Sequence, residues 1–573
     1  MLTITECQSI IKSQEKEWRK WEHVYKECQQ YVNPYMGRFN VAGPDKKDQT
    51  KEKPRYATEP TALKALKVMA AGLQAGTTSR TRPWFRIVTD DPELNQNANV
   101  ARWIHEVSLR MYQAFDQSNY YAVTQTQYME LGLFGTAAMT LMPKRGGGLT
   151  AHAYTCGEYM ISLDEYYMPT VFSRRYWYTV RQLVQEFGIN NVSNHVQSLW
   201  KNGNDRDKKI EVCHLIMPNW EADETKLDKL NMPWISYKFE WGNSTNPGAK
   251  GFGQYTDQVK GYLSVGGYRE RPVMTPRWWA NSDEAYGISP CIELMGRIRL
   301  LHKLDVKSVK GFDKLIDPPL NAPMSAKNRQ FMNTVGLPNS VAFTQEQGQI
   351  TAQYNVNFDV QSAEYKLEKI KQEIQEGLYN PLFNALISSM DDPSKTATEV
   401  VKIDEERLAM LGPVLEILHS EQIGPSVDRA FQIMSDNGEL PPVPDDVQRH
   451  IAQGGGTLKI EYSSVVAEAM KALDVTGQER AVGFLGNVAA VKPDVLDNYD
   501  FDEGFRDYAR KIGIEPDQVV PEEDVAAIRA QRAQQMQAQA MAENIPQVAQ
   551  GAKTLSETDV SREGSALNAL LGG

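Results

Sequence analysis

The sequence holds no apolar run near the ~20 residues that a membrane-spanning helix requires, which excludes a helical anchor within it and points to no membrane partner. Its first residues, MLTITECQSIIKSQEKEW, lack both a basic leader and a continuous apolar core, so they do not read as a signal peptide. Cysteine is scarce: Cys7, Cys28, Cys156, Cys213 and Cys291 are scattered, odd in number and form no CxxC pair. That pattern excludes a disulfide framework and fits small apolar side chains in a reducing compartment. The eight histidines show no HExxH and no metal-ligand spacing. There is no GxxxxGK[ST] to cradle a phosphate, Gly251 and Gly253 do not complete a GxGxxG, and no GxSxG elbow is present. Asp500 and Asp502 suggest a calcium loop, but its twelfth position is Lys511 and its glycine, Gly504, is misplaced, so a helix-terminal acidic cluster is the better reading. No cofactor, metal or catalytic constellation is expected. The net charge of −11 also argues against a surface that clamps nucleic acid throughout, although it is compatible with DNA that moves past without sticking.

What the sequence does have is length and pattern. Its 573 residues allow several cores. Trp18, Trp21, Tyr25, Cys28 and Val32 share one face of an expected helix over 3–32, which Pro34 closes. Residues 41–59 read as a lysine-rich loop. Helices are expected over 60–76, 97–117 and 119–133, with Arg82-Pro83-Trp84-Phe85 leading into an extended segment. From Thr136 to about Trp279 the pattern changes to strands: TAAMTLMP, EYMISLDEYYMP, KIEVCHLIMP, WISYKFEW and YLSVGG. Ser289 as N-cap and Pro290 in the first helical position then open a helix over 290–314. An irregular insertion over 315–357 follows, with small strands such as NSVAFTQ, and a second helix over 361–387. The fold class read from this order is α+β, mainly helical, with mostly antiparallel sheet.

The stretch Ser388–Asn437 is a short acidic loop feeding a very long helix. Thr396 and Glu399 make a capping box, and Pro393 stops an earlier helix from running through. Leu408, Leu411, Leu415 and Leu418 recur at helical spacing, the stripe resumes at Val427, Phe431 and Met434, and Gly438 offers a stop. Pro413 and Pro425, each after a glycine, should bend it. Beyond Pro441-Pro-Val-Pro444 lies a smaller helical region with one strand, LKIEYSS; the segment 521–543 reads as an Ala/Gln-rich helix, and the residues after it as a flexible tail.

Several motifs in this order resemble the portal (head-to-tail connector) proteins of short-tailed, podovirus-type bacteriophages. They are Pro83-Trp84-Phe85, Asn119-Tyr-Tyr, Leu133-Phe-Gly-Thr136, Tyr286-Gly-Ile-Ser-Pro290, Asp317-Pro-Pro-Leu320, Thr396-Ala-Thr-Glu399, Glu421, Gly438-Glu-Leu-Pro441, Tyr462-Ser-Ser, Pro493-Asp-Val-Leu-Asp497 and Asp500. The resemblance implies a dodecameric ring at one capsid vertex of the virion, assembled in the host cytoplasm. It implies a wing over 1–285, completed by the long helix over 396–440, and a stem made by 286–314 and 358–387. It further implies a small α/β clip over 315–357, a tunnel loop over 388–395, a crown over 441–543 and a tail over 544–573. The implied partners are double-stranded DNA, the terminase, the major capsid and scaffolding proteins, and the tail adaptor. The competing readings are a scaffold without a channel and, absent a phosphate loop, a packaging enzyme.

A passage for DNA must hold the duplex yet bind it weakly, because each phosphate contact made must be broken again. Twelve copies at −11 each carry about −130, a field that salt confines to ~8–10 Å of the wall. In the tunnel loop, Lys395 with Ser388 and Ser389 would touch the DNA backbone while Asp391 and Asp392 repel it. Alternatively, Asp391-Asp392-Pro393 is turn chemistry before a cap. The helix over 290–314 carries Arg299, Lys303, Lys307, Lys310 and Lys314 along one side. That stripe faces the duplex, pairs with acidic residues of neighbouring stems, or is an ordinary solvated face.

Overall fold

The computed structural model describes residues 2–39, 56–91, 94–95, 97–144, 146–223, 226, 228–241, 261–281, 283–316, 320–323, 341–344, 351–352, 359–384, 411–452, 459–462, 481–489, 492, 494, 499–512, 519–520 and 524–536. The chain divides into two compact units, Met1–Asp90 with Trp103–Leu473, and Asp91–Arg102 with Asp474–Gly573.

The first unit begins with α1 (Ile4–Tyr31), opened by a capping box in which Thr3 and Glu6 satisfy each other's backbone N–H. The expected face of α1 is the buried one, and it reaches two cores. Cys7 and Ile11 pack on a sheet, whereas Tyr25 and Cys28 join the main helical core. That core is built on α2 (Thr61–Thr77), whose Ala65, Leu66, Met69 and Leu73 are buried. After β1 (Phe85–Val88) come α3 (Ala98–Gln117) and α4 (Tyr120–Phe134), close to the helices expected at 97–117 and 119–133.

The sheet region contains more strands than its sequence suggests. β2 (Ala138–Pro143) pairs with β3 (Leu149–Tyr154). A five-stranded antiparallel sheet runs in the order β4 (Tyr159–Ser162), β5 (Val171–Thr179), β6 (Lys209–Pro218), β7 (Trp234–Glu240), β8 (Ser264–Tyr268). The expected strand EYMISLDEYYMP ends at Ser162 because Asp164 gathers the next residues into a loop. Its Oδ1 accepts from the N–H groups of Tyr166 and Met168, and its Oδ2 from the Thr170 hydroxyl. On one side of the sheet, Cys213, Leu215, Tyr237 and Phe239 meet α1. On the other, Val212 packs with Val180 and Leu183 of α5 (Val180–Phe187) and Val196 of α6 (Asn194–Lys201). β9 (Val273–Met274) completes the β3-β2-β9 sheet.

The helix expected over 290–314 is present but broken at Leu294, as α7 (Pro290–Glu293) and α8 (Met295–Ile316). Within the insertion, β10 (Leu320–Pro323) pairs parallel with β11 (Val341–Thr344) and antiparallel with β12 (Thr351–Ala352). The return helix α9 (Val360–Gly377) is interrupted at Tyr379, at φ 56°; residues 380–384 are helical again, and the rest of the helix expected over 361–387 lies outside the described residues. Residues 411–418 are helical, and five residues of π-helix, His419–Ile423, lead into α10 (Gly424–Asp436). The bend expected at Pro425 thus takes the form of a widened turn ahead of it, with the proline at the start of α10 where its missing N–H costs little. Gly438, at φ 70°, ends this helix as expected, with Glu439 N–H donating to Met434 O and Gly438 N–H to Ser435 O. After α11 (Asp445–Ala452), β13 (Lys459–Tyr462) pairs antiparallel with β1. The expected helix start at Thr396 and the stretch up to Leu408 lie outside the described residues.

In the second unit, α12 (Phe501–Ile512) starts where Asp500 Oδ1 accepts from the N–H groups of Asp502 and Glu503, so the acidic run is a helix cap. Asp502 is paired with Arg529 at 2.5 Å.

Candidate functional site

The helix pair α8 and α9, and the joint that fixes its base, hold the candidate residues that the structure describes. The joint is a close backbone crossing. Gly135 sits at φ 81°, and a Cβ there would overlap Gly287 O, just as a Cβ on Gly287 would overlap Gly135 O. Around the crossing, Gly287 N–H donates to Thr136 Oγ1 at 2.8 Å and Ser289 Oγ–H to Leu133 O at 2.9 Å. Ile161 N–H reaches Tyr286 Oη at 3.2 Å. Two of the sequence motifs, Leu133–Thr136 and Tyr286–Pro290, are therefore one structural device that sets where α7 leaves the body. Ser289 also caps α7 through Ile292 N–H at 3.0 Å, as its position before Pro290 predicts.

A second pair of motifs meets in the same way. Trp84 Nε1–H donates to Tyr121 Oη at 3.3 Å, and its ring stacks on Tyr120 at 6.1 Å. Asn119 uses its side-chain amide as a strand edge, donating to Ala151 O and accepting from Ala151 N–H, both at 2.8 Å.

Further along, α8 is pinned by a histidine that sequence reasoning did not single out. His302 is buried; its Nε2 lies 2.8 Å from Tyr31 O, and its Nδ1 accepts from the N–H groups of Thr58 and Glu59 at 3.2 and 3.3 Å. These partners fix the neutral tautomer with hydrogen on Nε2, and they tie α8 to the end of α1 and the approach to α2. Arg297 pairs with Glu373 of α9 at 3.2 Å, and Leu294 fills the space beside Gly377.

The buried side of α8, Met295, Ile298, Leu301 and His302, continues at ~100° per residue into Val309 and Ile316. These last two are 54% and 74% exposed, although Ser308 beside them is buried. On the opposite side, Arg299, Lys303, Lys307, Lys310 and Lys314 fall within an arc of about 80°. Arg299 is engaged by Glu27 of α1 at 3.3 Å, so the foot of the stripe serves the body of the same chain. Lys303, Lys307 and Lys310 are exposed. The structure thus brings the five basic residues onto one face. Ser388, Ser389, Asp391, Asp392 and Lys395 lie outside the described residues.

Glu421 has a partner that its motif did not reveal. It lies in the π segment, and its carboxylate takes Arg277 Nε at 3.0 Å, Nη2 at 2.6 Å and the Arg277 backbone N–H at 2.8 Å. Both side chains are buried. The same guanidinium donates to Glu284 O and Tyr167 O. Widening the helix by one residue turns Glu421 toward the strand connection that precedes α7, so this ion pair links the long helix to the base of the α7–α8 arm. A neighbouring buried arginine, Arg271, is satisfied by Val273 O, Pro169 O and Thr275 Oγ1.

Among the described residues no cluster of His, Cys, Asp or Glu could hold a metal ion, and no helix is long and apolar enough to cross a membrane. All five cysteines are free and buried, and burial pushes the Cys7 thiol up to about 11 and Cys291 up to about 12.

A family model described as bacteriophage head to tail connecting protein matches residues 5–520. The chain is 36% identical over 549 residues to the probable portal protein of Bordetella phage BPP-1, covering 96% of this chain and 94% of that one. It is 33% identical over 556 residues to the portal protein of Salmonella phage epsilon15, covering 97% and 95%.

Proposed function

The chain belongs to the family of bacteriophage head to tail connecting proteins and serves as a phage portal, and from this premise we propose that its copies close into a dodecameric ring whose bore passes double-stranded DNA during packaging and ejection. The family is structural rather than enzymatic, and its place is the portal vertex of the virion. In this reading α8 and α9 are the stem, and β10–β12 belong to a clip that meets the terminase during packaging and the tail adaptor afterwards. Residues 1–285 and 396–440 form the wing, 441–543 the crown inside the head, and the major capsid and scaffolding proteins surround the ring.

The observation that carries the ring is the apolar stripe of α8. Val309 and Ile316 continue a buried face yet stand in solvent on a single copy. Covering such side chains is worth about 1.5–3 kcal/mol each, and a closed ring covers them on every subunit without leaving an end. The opposite, basic side is then free to face the bore or a neighbouring stem. Ser388, Ser389, Asp391, Asp392 and Lys395 stay our proposed tunnel loop, with the two acids weakening DNA contact and the others guiding it.

Two variants test this by native mass measurement and negative-stain imaging. Val309→Asp should convert rings into lone subunits; intact rings would refute the role given to the α8 stripe. Lys303→Ala with Lys307→Ala should leave rings intact while lowering salt-dependent DNA retention, which supports a bore-facing stripe. Ring failure in that double variant would assign the lysines to pairing between stems instead.

A further inference from the structure

A cleft of about 540 Å³ opens in the first compact unit where α3, the β2–β3 turn and the end of α10 meet. Arg110, Gln113 and Gln117 line it from one face of α3, at three- and four-residue steps. Lys144 and the glycines of the turn supply a second wall, and Glu439 a third. Buried Leu149 and Met434 give it an apolar floor.

The walls are fixed from within. Glu439 Oε1 accepts from Gly148 N–H at 3.0 Å and from Asn437 Nδ2 at 3.1 Å, and Glu439 O takes Arg110 Nη1 at 3.0 Å. Arg110 Nη2 goes to Glu106 at 2.6 Å. Lys144 is the cation left over: neither its ammonium nor the amides of Gln113 and Gln117 have a side-chain partner among the described residues. The cleft therefore offers one uncommitted positive charge and two amides that both donate and accept. That set suits a short peptide carrying one acid; a DNA backbone presents a repeating charge and is bound through several cations.

The chain itself carries such a segment. Between β4 and β5 lies the tip Glu165-Tyr166-Tyr167, all exposed, Tyr166 to 76% and Tyr167 to 59%. Besides the Asp164 turn described above, Tyr167 O accepts from Arg277 Nη2 at 3.1 Å, and Pro169 O from Arg271 Nη2 at 2.5 Å and Thr275 Oγ1 at 2.7 Å. Tyr167 is held at φ 60°, in the left-handed region that a residue with a side chain enters only at a cost. Two buried arginines thus hold a strained turn that keeps two aromatic rings in water.

β2 and α10 both run from the neighbourhood of this tip to the cleft. Thr136, bridged to Arg277, precedes β2 and Lys144 follows it; Glu421 precedes α10 and Glu439 follows it. Six strand residues, or thirteen helical ones, span about 20 Å. Tip and cleft cannot meet within one copy, whereas two unlike surfaces at separate ends of one body are what a front-to-back ring joins.

We propose that the tip Glu165-Tyr166-Tyr167 of one copy seats in the Lys144 cleft of the next, with Glu165 paired to Lys144 and a tyrosine ring over the apolar floor. The contact rests on the ring reading and adds to the α8 stripe a second place where copies meet.

Cysteine pairing and charge exchange in the full-length protein test it. Tyr166→Cys with Gln113→Cys, both at exposed positions, should give a ladder of covalent multimers on non-reducing gels after mild oxidation, while each single variant should not. Lys144→Glu and Glu165→Lys should each raise the subunit concentration needed for rings about tenfold by native mass measurement, and the two together should restore it. Tyr166→Ala should also raise that concentration while leaving the unfolding midpoint of the lone subunit unchanged. Rings whose cysteine pair stays reduced, or a charge exchange that restores nothing, would overturn this contact and leave the ring standing. Wild-type chains that form no rings would remove the ring and the contact together.

Discussion

Glu130 offers the sharpest test of how the first compact unit is held together. It is buried on α4 with no cation beside it among the described residues; Oε1 accepts from the Thr155 hydroxyl at 2.5 Å and Oε2 from Cys156 N–H at 3.1 Å. Burial outweighs these two hydrogen bonds and pushes the carboxyl up to about 7 from its ordinary 4.5. Between those values the folded chain keeps a proton that the unfolded chain releases. The stabilising effect of the neutral form is therefore complete below about 4.5 and is lost as pH rises through about 7. The displacement corresponds to about 3 kcal/mol. Glu130→Gln replaces the protonated acid by its neutral shape: the amide oxygen can accept from Cys156 N–H while the NH₂ donates to Thr155 Oγ1. The variant should match wild type near pH 4.5 and exceed it by up to about 3 kcal/mol at pH 8. For a chain of 573 residues that is roughly 2–3 °C in the unfolding midpoint, measurable by differential scanning fluorimetry across the pH range. Parallel midpoint curves for wild type and variant from pH 4.5 to 8 would refute the reasoning.

Two further outcomes rest on the joint. Glu421→Gln leaves Arg277 buried with half its pairing gone and should cost about 3–5 kcal/mol, read as a lowered unfolding midpoint with earlier proteolysis around Arg277. Gly135→Ala should cost at least ~2 kcal/mol, since its left-handed backbone is strained by a side chain and Gly287 O blocks the Cβ. Gly146→Ala is the control: it has φ 93° but open space around it, so it should lose only the backbone part, about 1–2 kcal/mol.

Much of the helical frame was legible because its signals are local. Ser289 before Pro290, Gly438 after Met434, and the spacing of Tyr25, Cys28 and Val32 each fix a feature within a few residues of chain. The sheet was harder to read. β5 carries Arg174 and Arg175 on opposite faces, the first against the rings of Tyr154 and Tyr176 and the second paired with Glu211, so its sequence lacks a clean polar alternation. Partnerships across long stretches of chain left no local mark: His302 looks like any helix histidine until Tyr31 and Thr58 surround it, and nothing near Glu421 announces Arg277. The five basic residues of α8 were legible as a face, but not that Glu27 engages the first of them.

The widened turn at His419–Ile423 makes the length of this helix a matter of counting. Removing one residue there would restore ordinary hydrogen-bonded winding, a locally comfortable change. Yet everything beyond it would rotate by about 100°, carrying Val427 and Ile433 off their buried side. The segment therefore tolerates exchange of side chains better than any change in their number.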